Sequence, residues 1–294
     1  MSSPKQTIFF RRLFSTLILW SVILGTILKG WEIGIFLVVA VLGLIALWEF
    51  FTMLDLSKRP NFKLFGMTCG LVMLCGGFYW SQRNGPASAY DFELATLMTL
   101  MLGVFARQMF QKTRDPSPIE TMAYTIFGLL YVVWLFSFII KVVYIVPRNA
   151  DHTIGGQYYL LYLLVITKFS DMGAYVTGSL IGKHKLVPHI SPAKTWEGFF
   201  GALAFSLVAS IGLWKLLPQK LALLNINHCI ILGLSLGFAA IIGDLGESLI
   251  KRSADVKDSG KMLPGIGGSL DLIDSLLFTA PLLYFYLRLV ILPV

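Results

Sequence analysis

The chain has 294 residues, of which 56% are hydrophobic and only 14% are charged, whereas a soluble domain of this size carries about 25% charged residues. This composition excludes a soluble globular protein, because too few charges are present to cover a water-facing surface. The net charge of +8 comes from basic residues between apolar segments, which is typical of a membrane protein and gives no indication of a nucleic-acid partner.

A membrane-spanning helix needs about 20 apolar residues, and nine segments approach or reach that length. We therefore predict an all-α fold: a polytopic transmembrane helical bundle of about nine spans. The segments cover residues 13–28, 33–54, 64–80, 92–110, 122–146, 158–181, 196–217, 230–250 and 271–292.

The basic residues predict the orientation of these spans, because cytoplasmic loops of membrane proteins are enriched in Lys and Arg. With a cytoplasmic N-terminus, sixteen of the 24 Lys and Arg residues fall in cytoplasmic segments and seven on the other side. Loops 183–195 and 251–270 are then cytoplasmic. We predict an integral protein of the bacterial inner membrane whose active site faces the cytoplasm.

Ionisable motifs are concentrated after residue 160, which predicts two parts of the chain. Residues 1–150 are predicted to form N-terminal transmembrane helices for packing, dimerisation or lipid access. Residues 151–294 are predicted to form a catalytic transmembrane region with cytoplasmic loops. Glu32 and Glu49 flank the second span, and we interpret both as interfacial or structural.

The strongest functional pattern covers residues 243–275. In a helix, Asp244, Ser248 and Lys251 share one face with Glu247. Asp271, Asp274 and Ser275 share another face at the start of the last span. A loop with four glycines among residues 260–268 joins the two helices.

Such a pattern suits phosphoryl or nucleotidyl transfer. Converging carboxylates hold Mg²⁺ through oxygen ligands, glycine-rich turns offer backbone N–H groups to phosphate, and basic side chains neutralise phosphate charge. Asp271 as a helix cap, the basic residues as topology signals and the glycines as a plain turn are structural alternatives. They leave unexplained why Asp244 and Glu247 lie inside an apolar span, where ionisable residues are costly.

A second pattern precedes the first along the chain. Asp171 lies in an apolar segment, either as a site residue or only as a partner of Lys168 three residues earlier. Ser191-Pro192 predicts a helix N-cap and first helical residue. Lys194 would then lie in the first helical turn, either at a phosphate site or as an ordinary interfacial lysine.

These residues resemble the signature of the phosphatidate cytidylyltransferase family, the CDP-diglyceride synthetases. The family pattern is Ser-x-x-Lys-Arg, then Lys-Asp, Pro-Gly-His-Gly-Gly and Asp-Arg-x-Asp. The chain is also similar to family blocks at residues 171–175 and 191–198. The matching signature residues are Ser248, Lys251-Arg252, Lys257-Asp258, Pro264-Gly265-Ile266-Gly267-Gly268 and Asp271-Leu272-Ile273-Asp274.

Two positions depart from the pattern: Ile266 stands where the family usually has His, and Leu272 where it usually has Arg. The first change removes a possible hydrogen bond or proton acceptor, and the second removes a possible phosphate contact. Every acidic position is retained, so we expect activity to survive; the two changes bear on kinetics and nucleotide preference only.

The resemblance implies transfer of the CMP moiety of CTP to phosphatidate, giving CDP-diacylglycerol and pyrophosphate. It also implies Mg²⁺, a second cation such as K⁺, a homodimer and contact with membrane lipid. The implied metal ligands are Asp244, Asp271, Asp274 and Asp171, and Lys251 and Arg252 are the implied catalytic phosphate contacts beside Asp244 and Asp271. The implied substrate-binding residues are Lys194, Ser191, Ser248, Lys257, Asp258, Gly265, Gly267 and Gly268.

Two other functions fit the same residues. The first is a CTP-dependent kinase or cytidylyltransferase for another lipid. The second is an ion-coupled transporter whose Asp171, Asp244 and Asp271 bind ions, although the sequence lacks the repeat symmetry common in transporters.

Overall fold

The computed structural model describes residues 4–110, 117–147, 155–260, 262 and 267–292, with side chains from residue 14 onward. Pro264, Gly265 and Ile266 lie outside the described residues, so the structure does not test the predictions made for them.

The chain folds into a helical bundle, as predicted. The helices are α1 (Pro4–Leu28), α2 (Glu32–Leu56), α3 (Lys63–Asn84), α4 (Pro86–Phe110), α5 (Pro118–Gly128), α6 (Leu135–Ile145), α7 (Gln157–Ile181), α8 (Trp196–Leu216), α9 (Ile226–Ser253) and α10 (Ser269–Tyr286). Helices α5 and α6 are joined by a π-helical stretch, Leu129–Trp134, and α10 ends in another, Leu287–Ile291.

Within the described ranges, eight helices are long and apolar enough to cross a membrane: α2, α3, α4, the continuous α5–α6 helix, α7, α8, α9, and α10 with its π-helical end. The apolar part of α1, Phe14–Leu28, is shorter. Large apolar side chains such as Leu102, Leu180 and Val208 are exposed on the outer faces of their helices, as expected where lipid is the solvent. The chain is an integral membrane protein, and the predicted fold class is confirmed.

The segment between α7 and α8 differs from the prediction. It forms a two-stranded antiparallel hairpin, β1 (Lys185–Val187) and β2 (Ser191–Thr195). Ser191 and Lys194 therefore lie in a strand, and the predicted N-cap at Ser191 is wrong. Helix α8 begins after Thr195, whose hydroxyl accepts a hydrogen bond from the Gly198 N–H at 3.1 Å.

Pro192 has no backbone N–H to donate to the sheet. An edge strand tolerates proline, because some of its N–H groups face away from the partner strand. The hairpin is tied to the helix start because the Trp196 N–H donates to the His184 carbonyl at 2.9 Å.

The loops that follow α2, α7 and α9 meet at one end of the bundle. The Ser57 hydroxyl donates to the Ala254 carbonyl, and Arg59 Nη2 donates to the Ser253 carbonyl at 2.7 Å. Arg252 Nε donates to the Ile190 carbonyl at 3.4 Å. The alternating span order predicted from the sequence also places these three loops on one side.

Candidate active site

Helices α9 and α10 approach each other closely at Gly243. A Cβ atom at this position would lie only 2.6 Å from the Asp274 carbonyl oxygen and 2.9 Å from the Ser275 Cα. A side chain here would push the helices apart, so the glycine allows the contact. The contact brings the acidic face of α9 against the first two turns of α10.

Lys251 joins the carboxylates of the two helices. Its Nζ lies 2.6 Å from Glu247 Oε2 and 2.7 Å from Asp271 Oδ1. The other Asp271 oxygen, Oδ2, accepts from the Ser259 hydroxyl at 2.8 Å and from the Gly268 N–H at 3.3 Å. Asp271 is therefore held by the end of α9 and by the loop before α10.

Helix α7 contributes a third acidic side chain. Asp171 Oδ2 lies 3.2 Å from Lys168 Nζ, and Oδ1 accepts from the Ser275 hydroxyl at 3.4 Å. The pair with Lys168, considered above as a structural alternative, is thus present, but Asp171 also faces α10. Lys168 Nζ in turn donates to the Leu272 carbonyl at 3.4 Å, at one of the two positions that depart from the family pattern.

The hairpin contributes a third lysine. Lys194 Nζ lies 2.5 Å from Asp244 Oδ2. Both pairs, Lys194 with Asp244 and Lys251 with Asp271, therefore join a predicted phosphate contact to a predicted metal ligand.

These side chains surround a polar cavity of about 240 Å³. A larger cavity of about 490 Å³ lies beside it and shares Asp171 and Asp244 as wall residues. The walls of the larger cavity also include Lys194, Ser191 and apolar side chains such as Phe199 and Ile241. The polar cavity is lined by Asp171, Asp244, Glu247, Lys251, Asp271, Asp274 and Ser275.

The donors around the polar cavity suit a hard cation. Among the described residues, no group of three or more His, Cys, Asp or Glu side chains forms a ready metal cage. Mg²⁺ does not need one, because it usually keeps several waters and binds through one or two carboxylates plus substrate phosphates. Glu247 Oε1 is buried and has no hydrogen-bond partner in the described structure, which leaves an acceptor available at the cavity.

The remaining predicted site residues do not converge in the same way. Ser248 is half-buried on α9, Arg252 is exposed beside the hairpin, and Lys257 and Asp258 are exposed on the following loop. None of these four is among the described residues that line the two cavities. Of the three predicted loop glycines, two are described by the structure. Gly267 has a φ of +119°, and Gly268 directly precedes α10.

Ser275, predicted to share a helix face with Asp271 and Asp274, bonds Asp171. Sequence reasoning missed two other contributors to the site: Ser259, which bonds Asp271, and Glu49 of α2, which accepts from the Leu270 N–H at 3.0 Å. Of these two, only Glu49 could have been identified from the sequence, because it is an ionisable residue inside an apolar run.

A helical membrane protein with carboxylates and lysines around a polar cavity at one end of its bundle has the groups that phosphoryl and nucleotidyl transfer require. The model of the cytidylyltransferase family matches residues 10–290, and the chain belongs to this family.

Several relatives match nearly the whole chain, and another matches about half of it. It is 32% identical over 292 residues to the phosphatidate cytidylyltransferase of Bacillus subtilis (strain 168), covering 98% of this chain and 99% of that protein. It is 33% identical to the phosphatidate cytidylyltransferase of Staphylococcus aureus (strain COL), covering 92% and 96%. It is 38% identical to the uncharacterized protein YnbB of Escherichia coli (strain K12), covering 56% of this chain and 50% of that protein.

Proposed function

We propose that the chain is a phosphatidate cytidylyltransferase that transfers the CMP moiety of CTP to phosphatidate. The observation that carries this proposal is the convergence of acidic residues from α7, α9 and α10 with Lys251 at the polar cavity, with Lys194 of the adjoining cavity paired to Asp244, in a chain of the cytidylyltransferase family.

The reaction needs charge neutralisation more than proton transfer. A phosphate oxygen of phosphatidate attacks the α-phosphorus of CTP, a new P–O bond forms, and the bond to the β-phosphate oxygen breaks. The bonding electron pair leaves with pyrophosphate. Because the attacking oxygen is already anionic, in-line positioning and electrostatic stabilisation supply most of the catalysis.

The lysines provide the positive charge for this step. Lys251 and Lys194 each hold a carboxylate at hydrogen-bond distance, and both lie where phosphate oxygens would enter. We infer that they turn toward the substrate phosphates when these bind, while Ser191 and the Gly267-Gly268 segment shape the pocket. We infer that Arg252, at the end of α9, and Lys257 and Asp258, on the following loop, contact the substrate from outside the cavity walls.

We propose that Asp244 and Asp271 hold Mg²⁺, with Asp274 and Asp171 as further ligands. When bound, the metal would neutralise the phosphate charge that develops in the transition state. A second cation such as K⁺ and a homodimer remain predictions.

The adjoining cavities suit substrates of opposite solubility. With Mg²⁺ held by its carboxylates, the polar cavity would suit the charged phosphates of CTP. The larger cavity, whose walls include apolar side chains, suits a substrate that arrives from the lipid. Because CTP is a cytosolic nucleotide, we propose that this end of the bundle faces the cytoplasm of the bacterial inner membrane, as the distribution of basic residues favours.

The test is to reconstitute the purified protein in liposomes with phosphatidate, Mg²⁺ and CTP labelled at either the α- or the γ-phosphate. Label from the α-phosphate should appear in a CDP-lipid, and Asp244→Asn should abolish it. Transfer of the γ-phosphate to a lipid alcohol would instead indicate a kinase. Ion uptake without lipid labelling would indicate a transporter.

A further inference from the structure

A buried carboxylate on α2 lies outside the residues that line the polar cavity. Glu49 is only 2% exposed, in a helix that is otherwise almost entirely apolar. An ionisable side chain at such a position is costly unless it has a specific partner. Its partner is in the other half of the chain: Glu49 Oε2 accepts a hydrogen bond from the Leu270 N–H at 3.0 Å.

The Leu270 N–H needs an acceptor from outside its own helix. Leu270 is the second residue of α10, and the first four N–H groups of a helix have no acceptor within it. The residue that precedes α10 is Gly268, which has no side chain to cap the helix. Glu49 supplies the missing cap from another helix, and its negative charge is favourable at the positive end of the α10 dipole.

Other contacts from α2 and the segment after it hold the chain on both sides of the same loop. The Ser269 hydroxyl donates to the Leu42 carbonyl at 2.9 Å. On the other side of the loop, Ser57 and Arg59 bond the carbonyls of Ala254 and Ser253. The loop that connects the two acidic helices is thus fixed at both ends by the α2 region.

Gly260 and Gly268, on either side of the loop, pack directly against Glu49. A Cβ atom at Gly260 would lie 2.2 Å from Glu49 Oε1, and one at Gly268 would lie 3.0 Å from Oε2 and 2.0 Å from the Ser259 hydroxyl oxygen. The loop can reach Glu49 only because these positions have no side chains. The glycines therefore serve a close approach in the protein as well as any contact with phosphate.

We propose that Glu49 is a positioning residue, which caps α10 from α2 and thereby fixes Gly268 and Asp271. The link is short: Leu270 is adjacent to Asp271, and Gly268 bonds Asp271 Oδ2. The effect of Glu49 on the start of α10 follows from these contacts, and its effect on catalysis rests on the proposed function.

The first test needs no substrate. Hydrogen exchange of the full-length protein in detergent is followed in peptides that cover residues 267–275. Glu49→Ala should accelerate exchange of the amides at the start of α10 roughly tenfold, because the capping bond is lost. Glu49→Gln keeps an acceptor oxygen and should stay close to wild type.

Glu93 provides the matched control. It is a buried glutamate of α4, 1% exposed, and it lies 2.6 Å from Lys141 Nζ. Glu93→Ala should lower stability without changing exchange at residues 267–275. Unchanged exchange in Glu49→Ala, or equal acceleration in Glu93→Ala, would overturn the capping role.

The second test measures CDP-lipid formation by the same variants. Glu49→Ala should raise the KM for CTP about tenfold and lower kcat, with little change in the KM for phosphatidate, and Glu49→Gln should restore most of the activity. Parallel losses in Glu49→Ala and Glu93→Ala would show a role in stability alone and overturn the positioning role. A wild-type protein without CDP-lipid activity would overturn the proposed function, while the exchange result would still decide the cap.

Discussion

Lys251 offers the sharpest way to separate folding from catalysis in this site. Lys251→Met keeps most of the side-chain volume but removes the cation that lies 2.6 Å from Glu247 and 2.7 Å from Asp271. Removing one partner of a buried ion pair costs about 3–5 kcal/mol, because an uncompensated charge remains. The Glu247 side chain is 2% exposed, but that of Asp271 is 33% exposed and keeps two other donors, so we expect the lower end, about 3 kcal/mol.

The assay is reversible unfolding in mixed micelles, measured beside CDP-lipid formation. Lys251→Met should lose both stability and activity. The double variant Lys251→Met/Glu247→Gln should regain at least half of the lost free energy of unfolding, because the buried charge is gone, but it should remain inactive. As a control, Lys63→Met breaks a more exposed pair with Asp55 at 3.3 Å and should cost no more than about 1 kcal/mol.

Two results would refute this reasoning. One is a Lys251→Met protein as stable as the wild type, since Lys251 would then not compensate a buried charge. The other is an active double variant, since Lys251 would then not be needed for phosphate binding.

Three further predictions concern metal, charge and sidedness. Asp244→Asn and Asp271→Asn should each reduce CDP-lipid formation at least about 100-fold while the protein remains inserted. Glu32→Gln, as a control, should have a mild effect. Full turnover in either Asp variant would contradict the ligand assignment. Removing Mg²⁺ with a chelator should stop turnover, and adding Mg²⁺ should restore it; activity that persists in chelator would argue against a metal requirement. A cysteine at the exposed Ser253, in a background without the three native cysteines, should react with an impermeant thiol reagent only from the cytoplasmic side; labelling from outside would reverse the proposed topology.

The sequence predicted those features that depend on local chemistry. Apolar run length alone indicated the helices, and the helical period placed Asp244, Glu247 and Lys251 on one face, where the structure has them around the polar cavity. The cost of charge in an apolar span then pointed to these residues as functional.

Features that depend on distant partners could not be predicted in the same way. Ser191-Pro192 suits a helix start as well as an edge strand, and only the pairing with residues 185–187 selects the strand. Glu49 and Leu270 are 221 residues apart, so no local pattern could show their contact. The rule that drew attention to Asp244 applies equally to Glu49, but the sequence offered no neighbouring motif to which it could be assigned.

The capping of α10 by α2 has a consequence for how the protein can be divided. A fragment that begins near residue 151 would contain every cavity-lining carboxylate and lysine named above, but its last helix would begin with an uncapped N–H at Leu270. Such a fragment should insert and remain inactive. Co-expression with a separate fragment that contains α2 should restore activity, and the same fragment with Glu49→Ala should restore much less.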